Sequence, residues 1–137
     1  MKIILVSHGK LALGLKDTLE MIVGQVDGLY AFSAYSDGSE DQYLKAIDAI
    51  LETDTTEPIL IITDVLGGSV NNEVWQLLAT HPQLIVLTGM NLPLLMTLVT
   101  YPNQVTLETI GEIVTAGQHG VMCINQLVTE KIDKEEF

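Results

Sequence analysis

Apolar residues along this chain alternate between two rhythms. Short continuous runs mark strands buried on both faces: Lys2-Ile3-Ile4-Leu5-Val6, Leu29 to Ser33, Pro58 to Thr63, Leu84 to Thr88, and a last short one from Val121 to Ile124. Between them, apolar positions recur at helical spacing. Leu11, Leu15, Leu19, Ile22 and Val23 form the first such stripe, stopped by Gly24. Ser39 with Gln42 reads as a capping-box pair opening a second helix whose inner stripe is Leu44, Ile47 and Leu51. Ser69 caps a third, carrying Val70, Val74, Leu77 and Leu78, with Pro82 as its stop. Asn91-Leu92-Pro93 looks like a helix start with proline in the first turn, and Thr106 caps one more helix through Thr115. The charged tail from Lys131 to Phe137 is expected to fray.

Strict alternation of this kind predicts an α/β fold: a doubly wound, mainly parallel sheet with helices on both faces and right-handed crossovers. The expected strand order is 2-1-3-4, followed by the short final strand. No linker, repeat or low-complexity stretch interrupts the chain, so residues 1–137 read as one domain. In such folds chemistry gathers at the carboxyl ends of the strands, where strand order reverses.

Composition narrows the candidates. Hydrophobic residues make up 47% of the 137 and charged ones only 18%, which excludes a disordered chain. There are 18 acidic residues against six lysines, no arginine, and a net charge of −12. That balance argues against nucleic acid and anionic membrane surfaces and favours a basic partner. Without arginine, any phosphate would have to be held by backbone N–H groups at a helix start. No stretch approaches the ~20 apolar residues of a membrane span, and the N-terminal run is too brief for a signal peptide, so a cytoplasmic location is expected. The lone Cys123, inside Val121-Met122-Cys123-Ile124, reads as a small buried hydrophobe.

The strand ends carry the chemistry. Ser7-His8-Gly9 follows the first strand, Asp64-Val65-Leu66-Gly67-Gly68-Ser69 the third, and Gly89-Met90-Asn91 the fourth. With order 2-1-3-4, strands one and three lie about 4.8 Å apart, which brings His8 beside Asp64. A carboxylate that holds the Nδ1 proton leaves Nε2 of the imidazole as the nucleophilic lone pair. Gly67 and Gly68, just before the Ser69 cap, let backbone approach an anion closely. Together these groups suggest phosphoryl transfer through a phosphohistidine whose cationic ring Asp64 stabilises. Each group has a plainer reading: His8 as a loop or capping residue, Asp64 as a turn residue, and Gly-Gly-Ser as a common α/β connection. The convergence of three segments on one face is what favours chemistry. His81 and His119 read as structural, and neither spacing resembles a zinc site. The run from Leu92 to Leu98 reads as core, and Trp75 as either core or an interface anchor. No metal or nucleotide cofactor is implied, since no GxxxxGK[ST] loop is present.

Three motifs carry a family resemblance. Ser7-His8-Gly9-Lys10-Leu11-Ala12-Leu13-Gly14 resembles the phosphorylation-site segment of the EIIA domain of mannose-family sugar phosphotransferase systems. Asp64 to Ser69 and Gly89-Met90-Asn91-Leu92-Pro93-Leu94-Leu95 are similar to that family's second and third motifs, in the same order. One departure is Val70, where the family often has proline. The resemblance implies a phosphotransferase whose His8 takes a phosphoryl group on Nε2 from the phosphocarrier protein HPr. It would pass the group to a cognate EIIB, which phosphorylates sugar as membrane EIIC and EIID components import it. It further implies that Asp64 hydrogen-bonds Nδ1, that Ser69 and the glycine loop hold phosphate, and that a homodimer forms by exchange of the final strand. EIIB is expected on a separate polypeptide. The basic face of HPr-type carriers suits the acidic balance here, and the sugar itself is not legible.

Three other readings stay in view. The phosphotransferase subunit of dihydroxyacetone kinase has a first domain of the same fold with a similar histidine, but its later motif lacks the Gly-Gly-Ser and Asn-Leu-Pro pattern. A receiver-type signalling domain would be phosphorylated on Asp64 with Thr88 assisting, yet needs an acidic pair where Ser7-His8 stands. A flavodoxin-like flavin module would want a hydroxyl-rich loop after the first strand and stacking aromatics, which are only 5% here.

Overall fold

The computed structural model describes residues 1–34, 42–53, 56–67 and 69–135. Four strands and six helices alternate along them: β1 (Lys2–His8), α1 (Leu11–Val23), β2 (Leu29–Ala34), α2 (Gln42–Leu51), β3 (Ile59–Thr63), α3 (Ser69–Thr80), β4 (Ile85–Thr88), α4 (Leu92–Val99), α5 (Ile110–Gln118) and α6 (Ile124–Glu135). The sheet is parallel throughout, in the order β2-β1-β3-β4. Strand order thus reverses between β1 and β3, whose register pairs Lys2 with Ile59 and Val6 with Thr63.

Side-chain alternation divides the core between the two faces of the sheet. Ile3, Leu5, Leu60 and Ile62 pack on one side with Leu19 of α1, Leu95 of α4 and Ile113 of α5. Ile4, Val6, Ile59 and Ile61 pack on the other with Ile47 of α2 and Val74 of α3. The aliphatic runs of β1 and β3 are fully sandwiched, which is why they read as unbroken rather than alternating.

Several expectations are corrected. Residues 121–123 form no strand; α6 begins at Ile124. Val121 is 85% exposed, and an apolar run becomes a strand only with a ladder to join. Beyond it, Ile124, Val128 and Ile132 repeat every four residues, a helical period that makes Lys131 to Glu135 helix; Glu136 and Phe137, the rest of the tail expected to fray, lie outside the described residues. Cys123 lies on this segment and is exposed, not buried. In α1 the inner positions are Ala12, Leu15 and Leu19, while Leu11 and Ile22 face outward. In α2, Tyr43 joins the expected stripe: Tyr43 and Ile47 are buried, and Leu44 and Leu51 pack partly buried against the same cluster. Helix α5 starts at Ile110, later than the expected cap; Thr106 instead closes the preceding turn, its Oγ1 accepting the Thr109 N–H. Trp75 is exposed, which removes the core reading. Ser39, half of the expected capping pair of α2, lies outside the described residues.

Candidate functional site

The carboxyl edge of the sheet gathers the strand-end residues. His8 closes β1, and Asp64 follows the last residue of β3. Because these strands are neighbours, Asp64 reaches across to His8 twice. Its Oδ2 accepts the His8 backbone N–H at 2.9 Å and lies 2.9 Å from Nδ1 of the ring. Oδ1 accepts the Val65 N–H at 3.0 Å. An ionised carboxylate only accepts, so in the neutral ring Nδ1 carries the proton and Nε2 the lone pair. Partial burial pushes the Asp64 carboxyl up. The His8 backbone N–H, the His8 ring and the Val65 N–H outweigh that and hold it below the ordinary aspartate value.

The ring is aimed outward. The His8 side chain is 44% exposed whereas that of Asp64 is 10% exposed, so the acid is tucked behind the imidazole. Ser69, the first residue of α3, places Oγ 3.4 Å from Nε2, at the outer limit of hydrogen-bond distance. Gly67 has φ +82°, a left-handed conformation that glycine adopts without strain, and it turns the chain from β3 toward α3. Gly68, the other glycine expected to hold phosphate, lies outside the described residues.

The turn after β1 is held from two sides. Gly9 has φ +55°. Its carbonyl accepts a hydrogen bond from Ser33 Oγ at the end of β2. The buried Ser7 Oγ accepts the Ala12 N–H at 2.7 Å, satisfying a donor in the first turn of α1. After β4, Asn91 caps α4: its Oδ1 accepts the Leu94 N–H at 2.9 Å, and its Nδ2 donates to the Gly117 carbonyl at 3.3 Å.

Of the residues expected at the site, His8, Asp64, Gly67 and Ser69 converge on one edge. His81 and His119 sit apart, at the ends of α3 and α5. Sequence reasoning passed over the hydroxyls of Ser7, Ser33 and Thr63. The available signal was a hydroxyl at the end of an otherwise apolar run in β1, β2 and β3. Among the described residues no group of three or more His, Cys, Asp or Glu is placed to hold a metal ion, and no helix is long and apolar enough to cross a membrane.

The fold and the site together define a class: a parallel α/β domain with an aspartate-oriented histidine at the carboxyl edge of its sheet. The chain belongs to the mannose-family IIA components of the sugar phosphotransferase system. The EIIA-man family model, described as PTS system fructose IIA component, matches residues 2–116. The chain is 26% identical, over 139 aligned residues and the full length of both proteins, to the PTS system sorbose-specific EIIA component of Lacticaseibacillus casei. It resembles the solved structures of two further proteins. For the mannose/sorbose-specific IIA subunit of Enterococcus faecalis the TM-score is 0.78 at 28% identity, covering 89% of this chain and 92% of that one. For the PTS IIA protein associated with the fucose utilization operon of Streptococcus pneumoniae the TM-score is 0.74 at 28% identity, covering 93% and 95%. IIA components of this kind act as phosphotransferases in sugar transport.

Proposed function

We propose that this protein is a phosphocarrier in which Nε2 of His8 accepts a phosphoryl group from phospho-HPr and donates it to a cognate EIIB. The observation that carries the proposal is the 2.9 Å contact between His8 Nδ1 and Asp64 Oδ2 at the carboxyl edge of the sheet. The Nε2 lone pair attacks phosphorus in line. The bond from phosphorus to the imidazole of HPr breaks, and its electron pair returns to that ring. The product ring on His8 bears phosphate on Nε2 and a proton on Nδ1. It is therefore cationic, and the ionised Asp64 is the charge that stabilises it. Transfer to EIIB reverses the same step. Apart from the phosphorus–nitrogen bond made and broken on His8, the domain contributes positioning and charge stabilisation.

The start of α3 supplies the phosphate site. Ser69 stands beside Nε2, and the helix N-terminus favours negative charge without any arginine. A net charge of −12 suits a basic carrier face and speeds encounter by long-range attraction. Ser7-His8, where a receiver would carry acidic residues, favours the histidine over Asp64 as the phosphorylated group.

In this reading residues 1–137 form one cytoplasmic EIIA domain. It pairs with a second copy through the segment after α5, where Val121 and Met122 lead into α6 with their apolar side chains exposed. The relatives carry the names of sorbose, mannose/sorbose and fucose systems, so kinship with them singles out no sugar.

Incubation with phospho-HPr tests the central claim. An acid-labile, alkali-stable adduct that disappears in His8→Gln supports it. An acyl phosphate on Asp64, or no adduct at all, overturns it. Light scattering at micromolar concentration tests the pairing: a strictly monomeric species rules it out.

A further inference from the structure

Polar side chains buried in a core are costly unless they are fully bonded, and those of this protein are not scattered. Apart from the Tyr43 hydroxyl on α2, the buried polar residues among those described are Ser7, Thr63 and Asn71, and these three lie at the site end of the sheet. Ser7 immediately precedes His8, Thr63 immediately precedes Asp64, and Asn71 lies in the first turn of α3, two residues after Ser69.

Thr63 is a junction. Its side chain is completely buried, its Oγ1 lying 3.0 Å from Asn71 Oδ1 and 2.8 Å from Thr88 Oγ1. A hydroxyl has one proton and an amide oxygen only accepts. The Thr63 proton therefore goes to Asn71, and Thr88 supplies the proton of the other bond. The main-chain carbonyl of Thr63 accepts the N–H groups of Gly89 and Met90, both at 3.1 Å. One residue thus ties the end of β3 to α3, to the end of β4 and to the turn that follows it.

Val65, Leu66 and Gly67, which follow Asp64 in the loop to Ser69, are exposed, so these residues bring no buried side chain to the link between β3 and α3. Yet the two ends of that loop flank one imidazole, Asp64 at Nδ1 and Ser69 at Nε2. Beneath them, the buried Thr63–Asn71 bond joins the same two elements. A valine at position 63 would fill nearly the same volume but leave Asn71 Oδ1 and the Thr88 hydroxyl without this partner, so the threonine serves hydrogen bonding and not volume alone.

We propose that Thr63 and Asn71 are positioning residues: their buried hydrogen bond sets the distance between the carboxylate on Nδ1 and the hydroxyl beside Nε2 of His8. The inference rests on the phosphohistidine reading above and goes beyond it, since neither residue touches the transferred group.

The test uses the full chain with Thr63→Val, Asn71→Leu and Thr63→Ser. Transfer from phospho-HPr gives kcat and KM, and NMR of the His8 ring nitrogens reports the Nδ1 proton without any phosphate. Thr63→Val and Asn71→Leu are each expected to lower kcat about 10- to 100-fold with KM changed less than about twofold, as misplacement of a reacting group does. Each should also exchange-broaden the Nδ1 proton signal, and Thr63→Ser should restore both rate and signal. The double variant should be no slower than Thr63→Val alone, because both substitutions remove the shared Thr63–Asn71 bond and only Thr63→Val also removes the bond with Thr88. Wild-type kcat and an intact Nδ1 signal in either folded single variant overturn the proposal, as does failure of Thr63→Ser to rescue. If one variant does not fold, the other decides. If the wild type takes no phosphate on His8, the functional reading fails while the NMR measurement still judges the positioning role.

Discussion

A single oxygen of Asp64 accepts both donors of one residue: Oδ2 lies 2.9 Å from the backbone nitrogen of His8 and 2.9 Å from its Nδ1. The first bond fixes where the carboxylate sits relative to β1, and the second fixes which ring nitrogen carries the proton. Removal of the charge separates these effects. Asp64→Asn keeps the shape but presents an amide that can stabilise the other tautomer and offers no charge to a phosphorylated ring. Transfer from phospho-HPr is expected to fall by up to roughly 10⁴-fold with the fold intact, the loss that the same exchange causes in a Ser-His-Asp triad. A near-normal rate would show that Asp64 only shapes the turn.

The same carboxylate links stability to pH. Its folded-state value is depressed by the His8 and Val65 donors, which overcome the opposing effect of burial. Its stabilising contribution is therefore complete above the unfolded aspartate value of about 3.9 and is lost as pH falls through the lower folded value. The gap in melting temperature between wild type and Asp64→Asn should be open at pH 6 and close on acidification below about pH 4. A gap that widens on acidification would contradict the depressed value.

Ser7 sits in the core with its hydroxyl accepting the Ala12 N–H at 2.7 Å. Ser7→Ala leaves that amide buried without its acceptor, a loss of about 1–3 kcal/mol. Urea denaturation should show a lower midpoint at unchanged slope. If the wild-type midpoint is retained, the bond is not needed to start α1.

Gly117 lies where α5 meets α4. A Cβ there would stand 2.9 Å from the Leu94 Cβ and 3.0 Å from its Cδ1. Gly117→Ala gains helix propensity of about 1 kcal/mol but forces the two helices apart, and overpacking of this kind costs about 1–3 kcal/mol. A net loss of stability is expected, and thermal melting measures it. A stabilised variant would mean that the helices separate freely.

Much of this protein is decided by local chemistry. The aliphatic runs of β1 and β3 can only be strands covered on both sides, and the β-α alternation that follows leaves a parallel sheet as the way to bury them. That His8, Asp64 and Ser69 meet at one edge was legible because strand ends and helix starts lie together at the carboxyl edge of such folds. What local pattern does not carry is which partner each group meets. Val121 to Ile124 has the composition of a strand, but strands exist by pairing and residues 121–123 join no ladder. The four-residue repeat beyond them makes a helix instead. Leu11 and Ile22 fit the helical period yet face outward, because the turn at Gly9 and Lys10 sets the phase of α1 so that Ala12, Leu15 and Leu19 meet the sheet. Thr63 and Asn71 are eight positions apart and show no motif. Their bond exists because β3 and α3 pack against each other, and hydrogen bonds between side chains depend on ångström-scale placement that only the assembled fold supplies.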